Sequence, residues 1–197
     1  MKTIAILATL DTKAAEADFM RKEIESLGGK ALLIDIGVIG VPGVEPDVSR
    51  SRIMEAGGSS LAEQLNKPSR AKSSPVMLAG GTKVVLDLQQ SGKIHGVVAL
   101  GGTQGTSTCA PILQALPYGF PKVMCSTAAS GNTVPFVGIK DITMMFSVSD
   151  ILKLNPFTRK ILANAAAAAC GMAQVETKFQ VDKSDKPVIG MSNLGVL

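Results

Sequence analysis

The chain has 197 residues, a formal net charge of +4, and 46% hydrophobic residues of which few are aromatic. That length suits one sizeable α/β domain, and the aliphatic bias suits the core of a parallel sheet. Lys and Arg are scattered without interleaved aromatics, which argues against direct nucleic-acid binding. Cys109, Cys125 and Cys170 lack C-x-x-C spacing, so neither a disulfide framework nor a zinc site is indicated.

Thr3 to Leu10 is an apolar run suited to a central strand. The chain opens on this run rather than on a charged and apolar leader, and its longest apolar helical stretch, Ile161 to Ala173, is too short for a bilayer. The expectation is a cytoplasmic protein with no membrane partner. Asp11 and Thr12 follow the strand, and a helix then runs to about Leu27, closed by Gly28-Gly29. Asp11 suits two roles: N-cap of that helix, or a polar group beside a ligand or its metal ion.

Ala31 to Ile36 reads as the second strand, opening into the loop Gly37 to Gly43. Asp35 stands where dinucleotide folds place a ribose-binding carboxylate, although the glycine fingerprint that should accompany it is missing. From Asp47 the pattern turns helical, ending at Gly57-Gly58. Asn66 to Ser74 is a polar excursion, and helical spacing resumes from Met77 to Leu88. Arg50, Arg52 and Arg70 are candidate phosphate contacts, with a solvated surface as the competing reading. His95, the only histidine, precedes the third strand on the edge opposite the expected chemistry.

Val97 to Leu100 suits a strand buried on both faces, Gly101 and Gly102 stop it, and a helical pattern starts near Thr106. Such a turn gathers backbone N–H groups at the positive end of a helix, the physical recipe for holding phosphate. It is not a P-loop, because no Lys follows Gly105, and the glycines at 101, 102 and 105 do not spell G-x-G-x-x-G. Lys122 to Cys125 reads as a fourth strand running into the hydroxyl-rich Ser126 to Thr133. Phe136 to Ile139 reads as a short fifth strand, with Met144, Met145 and Phe146 as core filler. After a break, Pro156 starts a long helix, Phe157 to Met172, whose alanines at 165–169 allow close packing on the sheet or between subunits. Residues 1–177 thus form one domain, and 178–197 read as a linker and the first strand of a second.

This alternation predicts an α/β fold with a doubly wound, mostly parallel sheet flanked by helices, Rossmann-like in its layering. Ligands in such sheets sit at the C-terminal strand ends, where Asp11, Gly37 to Gly43, Gly101 to Thr106 and Ser126 to Thr133 converge.

Several longer motifs occur in order: A-T-L-D-T-K at Ala8 to Lys13, G-G-T-Q-G-T at Gly101 to Thr106, L-P-Y-G-F-P-K at Leu116 to Lys122, and S-T-A-A-S-G-N-T at Ser126 to Thr133. K-D-I-T-M-M-F-S-V-S-D-I at Lys140 to Ile151 and the stretch Asn155 to Met172 follow. Together they resemble the family of the tomato mosaic virus resistance protein and its mostly uncharacterised bacterial and fungal relatives. The resemblance implies an ATP-binding α/β domain that pairs with itself and precedes a second α/β half. In the plant member it implies binding and inhibition of the viral replication protein. Carried over by motif, the nucleotide contacts are Asp11 and Thr12; Gly101, Gly102, Thr103, Gln104, Gly105 and Thr106; and Ser126, Thr127, Ala128, Ser130 and Gly131. The closing S-N-L-G-V-L departs from the Gly/Thr-rich turn expected there.

The first expectation is therefore a domain that binds ATP, with Asp11 orienting Mg²⁺ or the ribose, and hydrolyses it slowly or not at all. Two rivals stand beside it. One is an enzyme domain for a small carboxylate or sugar phosphate, with Asp11, Lys140 and Asp141 as its titratable groups. The other is a dimerising interaction module using Ala165 to Met172 and the Met144-Met145 pair.

Overall fold

The computed structural model describes residues 1–66 and 69–177, so the linker and strand expected over 178–197 lie outside the described residues. Five strands form one sheet: β1 Thr3–Ala8, β2 Lys30–Asp35, β3 Gly96–Gly101, β4 Lys122–Ser126 and β5 Thr143–Phe146. Their order is β2-β1-β3-β4-β5 and every pairing is parallel, the arrangement of flavodoxin-like doubly wound sheets. The expected α/β fold is present.

Both faces of the sheet are covered, which is why its central strands are continuously apolar. Successive residues of β1 alternate between two cores. Ile4, Ile6 and Ala8 meet α1 (Ala14–Ser26) and α7 (Pro156–Gln174). Ala5 and Leu7 meet α2 (Arg50–Ala56), α4 (Arg70–Gln90) and α5 (Thr103–Ala115). Ile4, Ile6 and Leu7 are wholly inaccessible, and burying side chains of this size stabilises by about 1.5–3 kcal/mol each. The alanine run of α7 is used inside the chain: Ala165, Ala166, Ala169 and Ala173 face the sheet core. Asn155 starts that helix with a capping box, its side chain accepting from the N–H groups of Phe157 and Thr158.

Three local expectations need correction. Phe136 to Ile139 is not a strand; Val134–Val137 forms the short helix α6, with Pro135 in its first turn. The fifth strand is Thr143–Phe146, so Met144 and Met145 sit on opposite faces of the sheet's edge strand, packing on separate cores. The excursion over Asn66 to Ser74 is also shorter than expected. Leu61–Asn66 is helix α3, and α4 already starts at Arg70, tied back to α3 by a hydrogen bond from Ser73 Oγ to Gln64 Oε1.

The two margins of the sheet are treated differently. Outside β2, Val48 bridges to Ile34, exchanges backbone hydrogen bonds with Asp35 and Leu33, and Asp47 Oδ2 accepts from Leu33 N–H at 2.8 Å. Among the described residues no strand pairs with the outer side of β5. Among the described residues, too, no helix is long and apolar enough to cross a membrane.

Candidate functional site

Strand β1 connects to β2 on one side, and the chain then crosses to β3 on the other. The order therefore reverses between β1 and β3, and a crevice must open above their C-terminal ends. A cavity of about 350 Å³ lies there. Its wall includes Thr9, Asp11, Thr12 and Lys13 after β1, Ile36 and Val38 after β2, and Gly102 to Gly105 after β3. Ser74 of α4, Thr108 of α5 and Leu152 complete it.

The β1 side is a tight turn. Thr12 and Lys13 N–H groups donate to the Thr9 carbonyl at 3.0 and 2.8 Å, and the Thr9 and Thr12 hydroxyls meet at 2.9 Å. The cap position of α1 is Lys13, with no side-chain cap, so Asp11 does not fill the N-cap role. The Asp11 carboxylate turns instead toward the loop after β2, where its Oδ2 accepts from Gly40 N–H at 3.3 Å. Contact is so close that a Cβ on Gly40 would stand 2.6 Å from that of Asp11. The other oxygen, Oδ1, is buried without a hydrogen-bond partner.

Asp35 is wholly buried, and its Oδ1 accepts from Leu10 and Gly37 N–H groups at 3.1 and 2.8 Å. Burial pushes its pKa up, opposed by those two N–H groups and by Arg50, and abetted by Asp11. It braces the two loops from beneath and does not present an oxygen to a ribose; the expectation for Asp35 is corrected accordingly. Arg50 is likewise buried, with Nη1 unpartnered, and Arg52 lines a separate hollow with Asp87. Neither is on the cavity wall. The Arg70 side chain falls outside what is described.

The β3 side is the start of α5. Gly102 is the N-cap and Thr103 the first helical residue, three positions earlier than the sequence pattern suggests. The first helical hydrogen bond runs from Thr106 N–H to the Gly102 carbonyl at 2.9 Å, so the amides of Thr103 and Gly105 lie ahead of the ladder, at the helix's positive end. Gly101 has to be glycine, because a Cβ there would stand 2.8 Å from Gly105 Cα. Gly102 does not: a Cβ there meets only Thr127 Oγ1, at 3.7 Å.

The hydroxyl-bearing turn stands behind this wall. Ser126 ends β4 opposite Gly101, is fully buried, and its Oγ lies 2.6 Å from Thr106 Oγ1 while accepting from Ala128 N–H at 2.9 Å. Thr127–Ser130 then form a single 3₁₀ turn, with Ser130 and Gly131 exposed. Of the candidate contacts, Asp11, Thr12, Gly102, Thr103, Gln104 and Gly105 share the cavity wall. Gly101, Thr106 and Ser126 support it from behind, Thr127 adjoins it at Gly102, and Ala128, Ser130 and Gly131 lie off it. Lys13, Thr9, Ser74, Thr108 and Leu152 line the cavity without having been singled out as contacts. Of these, only Thr9 and Lys13 carried a signal, both lying within A-T-L-D-T-K.

Lys140 and Asp141 are at the other end of the molecule. Lys140 Nζ donates to the Leu116 carbonyl and lies 4.4 Å from the Tyr118 ring centroid. Asp141 pairs with buried Lys122 at 2.9 Å, at the start of β4, and accepts from Gly119 N–H. The titratable trio expected for a carboxylate-handling enzyme is therefore split across the sheet. His95 is also at that end, its Nδ1 accepting from Thr3 N–H at 3.1 Å.

The sequence profile of the Uncharacterised protein family (UPF0261) N-terminal domain matches residues 2–178. A UPF0261 protein of Clostridium tetani is 43% identical over 195 residues, covering 99% of this chain and 48% of its own. One from Brucella suis is 34% identical over 193 residues, covering 98% and 46%. The ToMV resistance protein Tm-1(GCR237) of Solanum lycopersicum is 44% identical over 103 residues, 52% of this chain and 13% of its own. Among solved structures, a diflavin flavoprotein A3 from Nostoc sp. superposes with a TM-score of 0.38 at 9% identity, covering 87% of this chain and 92% of its own. The chain spans about half the length of the curated bacterial relatives it matches. With a profile match running through the whole described sheet, this chain belongs to the UPF0261 family and corresponds to its N-terminal domain.

Proposed function

We propose that the cavity between β1 and β3 binds a nucleoside phosphate, ATP with Mg²⁺ first among them, in a cytoplasmic protein. One observation carries the reading: the N-terminus of a 13-residue helix opens into a hollow of ligand size at the point where strand order reverses. The amides of Thr103 and Gly105 suit phosphate oxygens, and the absence of a side chain on Gly102 leaves the approach open. The resemblance drawn from the sequence implies the same ligand.

Among the described residues no cluster of three metal-ligating side chains occurs. Mg²⁺ would be held by phosphate oxygens and by Asp11, the carboxylate on the cavity wall, consistent with how that ion is commonly bound. Asp11 meets Gly40 N–H through Oδ2 alone, and among the described residues no histidine or second carboxylate lines the hollow to activate water. Binding with slow or absent hydrolysis is the expected behaviour. Self-pairing, also implied by the resemblance, belongs to the same proposal and is read by sedimentation across a concentration series.

The test is calorimetric titration of ATP–Mg²⁺ into wild type and Gly102→Asp. A Cβ at Gly102 has van der Waals room, and Asp is a favoured N-cap, so the variant should keep its melting temperature. It nevertheless puts a negative charge beside the phosphates and should lose binding. Equal affinity in the two proteins refutes the phosphate cradle. A wild type stabilised by phosphorylated sugars or small acids but not by adenine nucleotides redirects the site to those ligands.

A further inference from the structure

The sequence offers no lysine within the glycine loop, yet the fold brings one to the same hollow. Lys13 is the cationic side chain on the cavity wall, entering from the start of α1 and facing a space whose other side is the start of α5. Its ammonium is held by a backbone carbonyl rather than by a carboxylate. Lys22 and Lys122 each meet a carboxylate, Asp18 and Asp141, at 2.8 and 2.9 Å. Lys13 Nζ instead donates to the backbone carbonyl of Ile151, and among the described residues no carboxylate is within ion-pair distance of it. A neutral carbonyl is a weaker partner for an ammonium than a phosphate oxygen, because the bond to phosphate is charge-assisted on both sides.

The segment that holds Lys13 is itself under tension. Val148 and Lys153, on either side of Ile151, have φ of 63° and 64°, a left-handed conformation that is costly for a β-branched residue such as valine. Leu152, next to the bonded carbonyl, is on the cavity wall and two-thirds exposed. Lys13 is thus half-buried, lines the same hollow as the positive start of α5, and is held by a strained strap. Two positive features facing one another across one space suit a ligand carrying several negative charges in a row.

We propose that Lys13 grips the outer phosphates of a polyphosphate chain, releasing the Ile151 carbonyl to do so, while the start of α5 holds the inner ones. This rests on the phosphate-binding reading of the same cavity and adds a residue and a ligand class to it. A monophosphate or an uncharged nucleoside gains little from Lys13; a triphosphate gains most.

The experiment titrates ATP, ADP, AMP, adenosine and inorganic tripolyphosphate into wild type, Lys13→Met, Lys13→Gln and Lys13→Arg, with thermal melts of each as a folding control. Glutamine keeps a donor for the Ile151 carbonyl without the charge, and so guards against a variant that fails merely by freeing the strap. The expected result is an affinity order of ATP over ADP over AMP in wild type. ATP and tripolyphosphate should weaken about tenfold or more in the Met and Gln variants, with adenosine unchanged and the Arg variant close to wild type. Folded Met and Gln variants that bind ATP and tripolyphosphate as wild type does overturn the role of Lys13 while leaving the nucleotide reading intact. Tripolyphosphate binding that depends on Lys13, in a protein indifferent to ATP, supports Lys13 and overturns the nucleotide. A wild type that binds neither overturns both.

Discussion

Thr106 Oγ1 and Ser126 Oγ lie 2.6 Å apart, a buried bond between the first turn of α5 and the last residue of β4. The glycine-bearing and hydroxyl-bearing turns are therefore neighbours, but one supports the other rather than both facing the hollow. Ser126→Ala removes a partner from Thr106 and the acceptor for Ala128 N–H. It should cost about 1–2 kcal/mol, read in thermal melts as a fall of roughly 2–8 °C. Ser130→Ala, at an exposed position in the same turn, should leave the melt unchanged. Equal melts for the two variants would contradict the supporting role of Ser126.

Gly101 and Gly102 are adjacent and should respond differently to the same change. A methyl group on Gly101 meets Gly105 backbone at 2.8 Å, and neither side is a flexible chain end. Gly101→Ala should destabilise by about 1–3 kcal/mol through a forced backbone shift. Gly102→Ala has van der Waals room and should unfold within about 0.5 kcal/mol of wild type. Denaturant midpoints of the two variants, measured side by side, check the contrast.

Asp141 links stability to pH. Although its partial burial raises it, the Lys122 ammonium and the Gly119 N–H together hold its pKa below the usual aspartate value. A carboxyl depressed in the folded state contributes stability that is present above the unfolded pKa near 3.8 and is lost as pH falls through the lower folded value. Wild type should therefore lose melting temperature on acidification below about pH 4, and Asp141→Asn should lose less over that interval. At neutral pH the same substitution leaves fully buried Lys122 without its counter-charge, retaining only the carbonyls of Pro117 and Phe120. There it should cost about 1–3 kcal/mol. A melt-versus-pH series on both proteins reads both effects.

The thiols should separate by burial. Cys109 and Cys125 are pushed up to about 12 by desolvation, and both side chains are inaccessible. Cys170 is raised by the same cause but is only half-buried on α7. A thiol reagent at pH 8 should modify Cys170 first in the native protein and reach the other two only on unfolding. Rapid modification of Cys125 in the folded state would contradict the packing of β4.

Much of this fold is legible in the chain because its four inner and near-inner strands are apolar runs closed by glycine or polar turns. Ile4 to Ala8 and Val97 to Leu100 have no polar residue, and only a sheet covered on both faces explains that. The fifth strand was misplaced because Phe136 to Ile139 has the stronger β-forming composition. Pro135 starts a helical turn there instead, and the Gln114 side chain holds the carbonyls of Pro135 and Phe136. Thr143–Phe146 is an edge strand with two half-buried methionines, which gives little alternation to read. In the site, the glycine turn was visible from its residues. The orientation of Asp11 and Asp35 was not, since it depends on a loop folding back after β2, and neither was the arrival of Lys13 opposite α5. Chain order alone does not say that β1 and β3 will be neighbours.

The unequal margins of the sheet set a limit on how copies of this domain can associate. Outside β2 the Leu33 and Asp35 N–H groups are already taken by Asp47 and Val48, whereas among the described residues no strand covers the outer side of β5. A chain with a single adhesive border can join one other through it and then has nothing left to offer. Strand-to-strand pairing of two copies along β5, were it to occur, would close at two rather than extend into a filament.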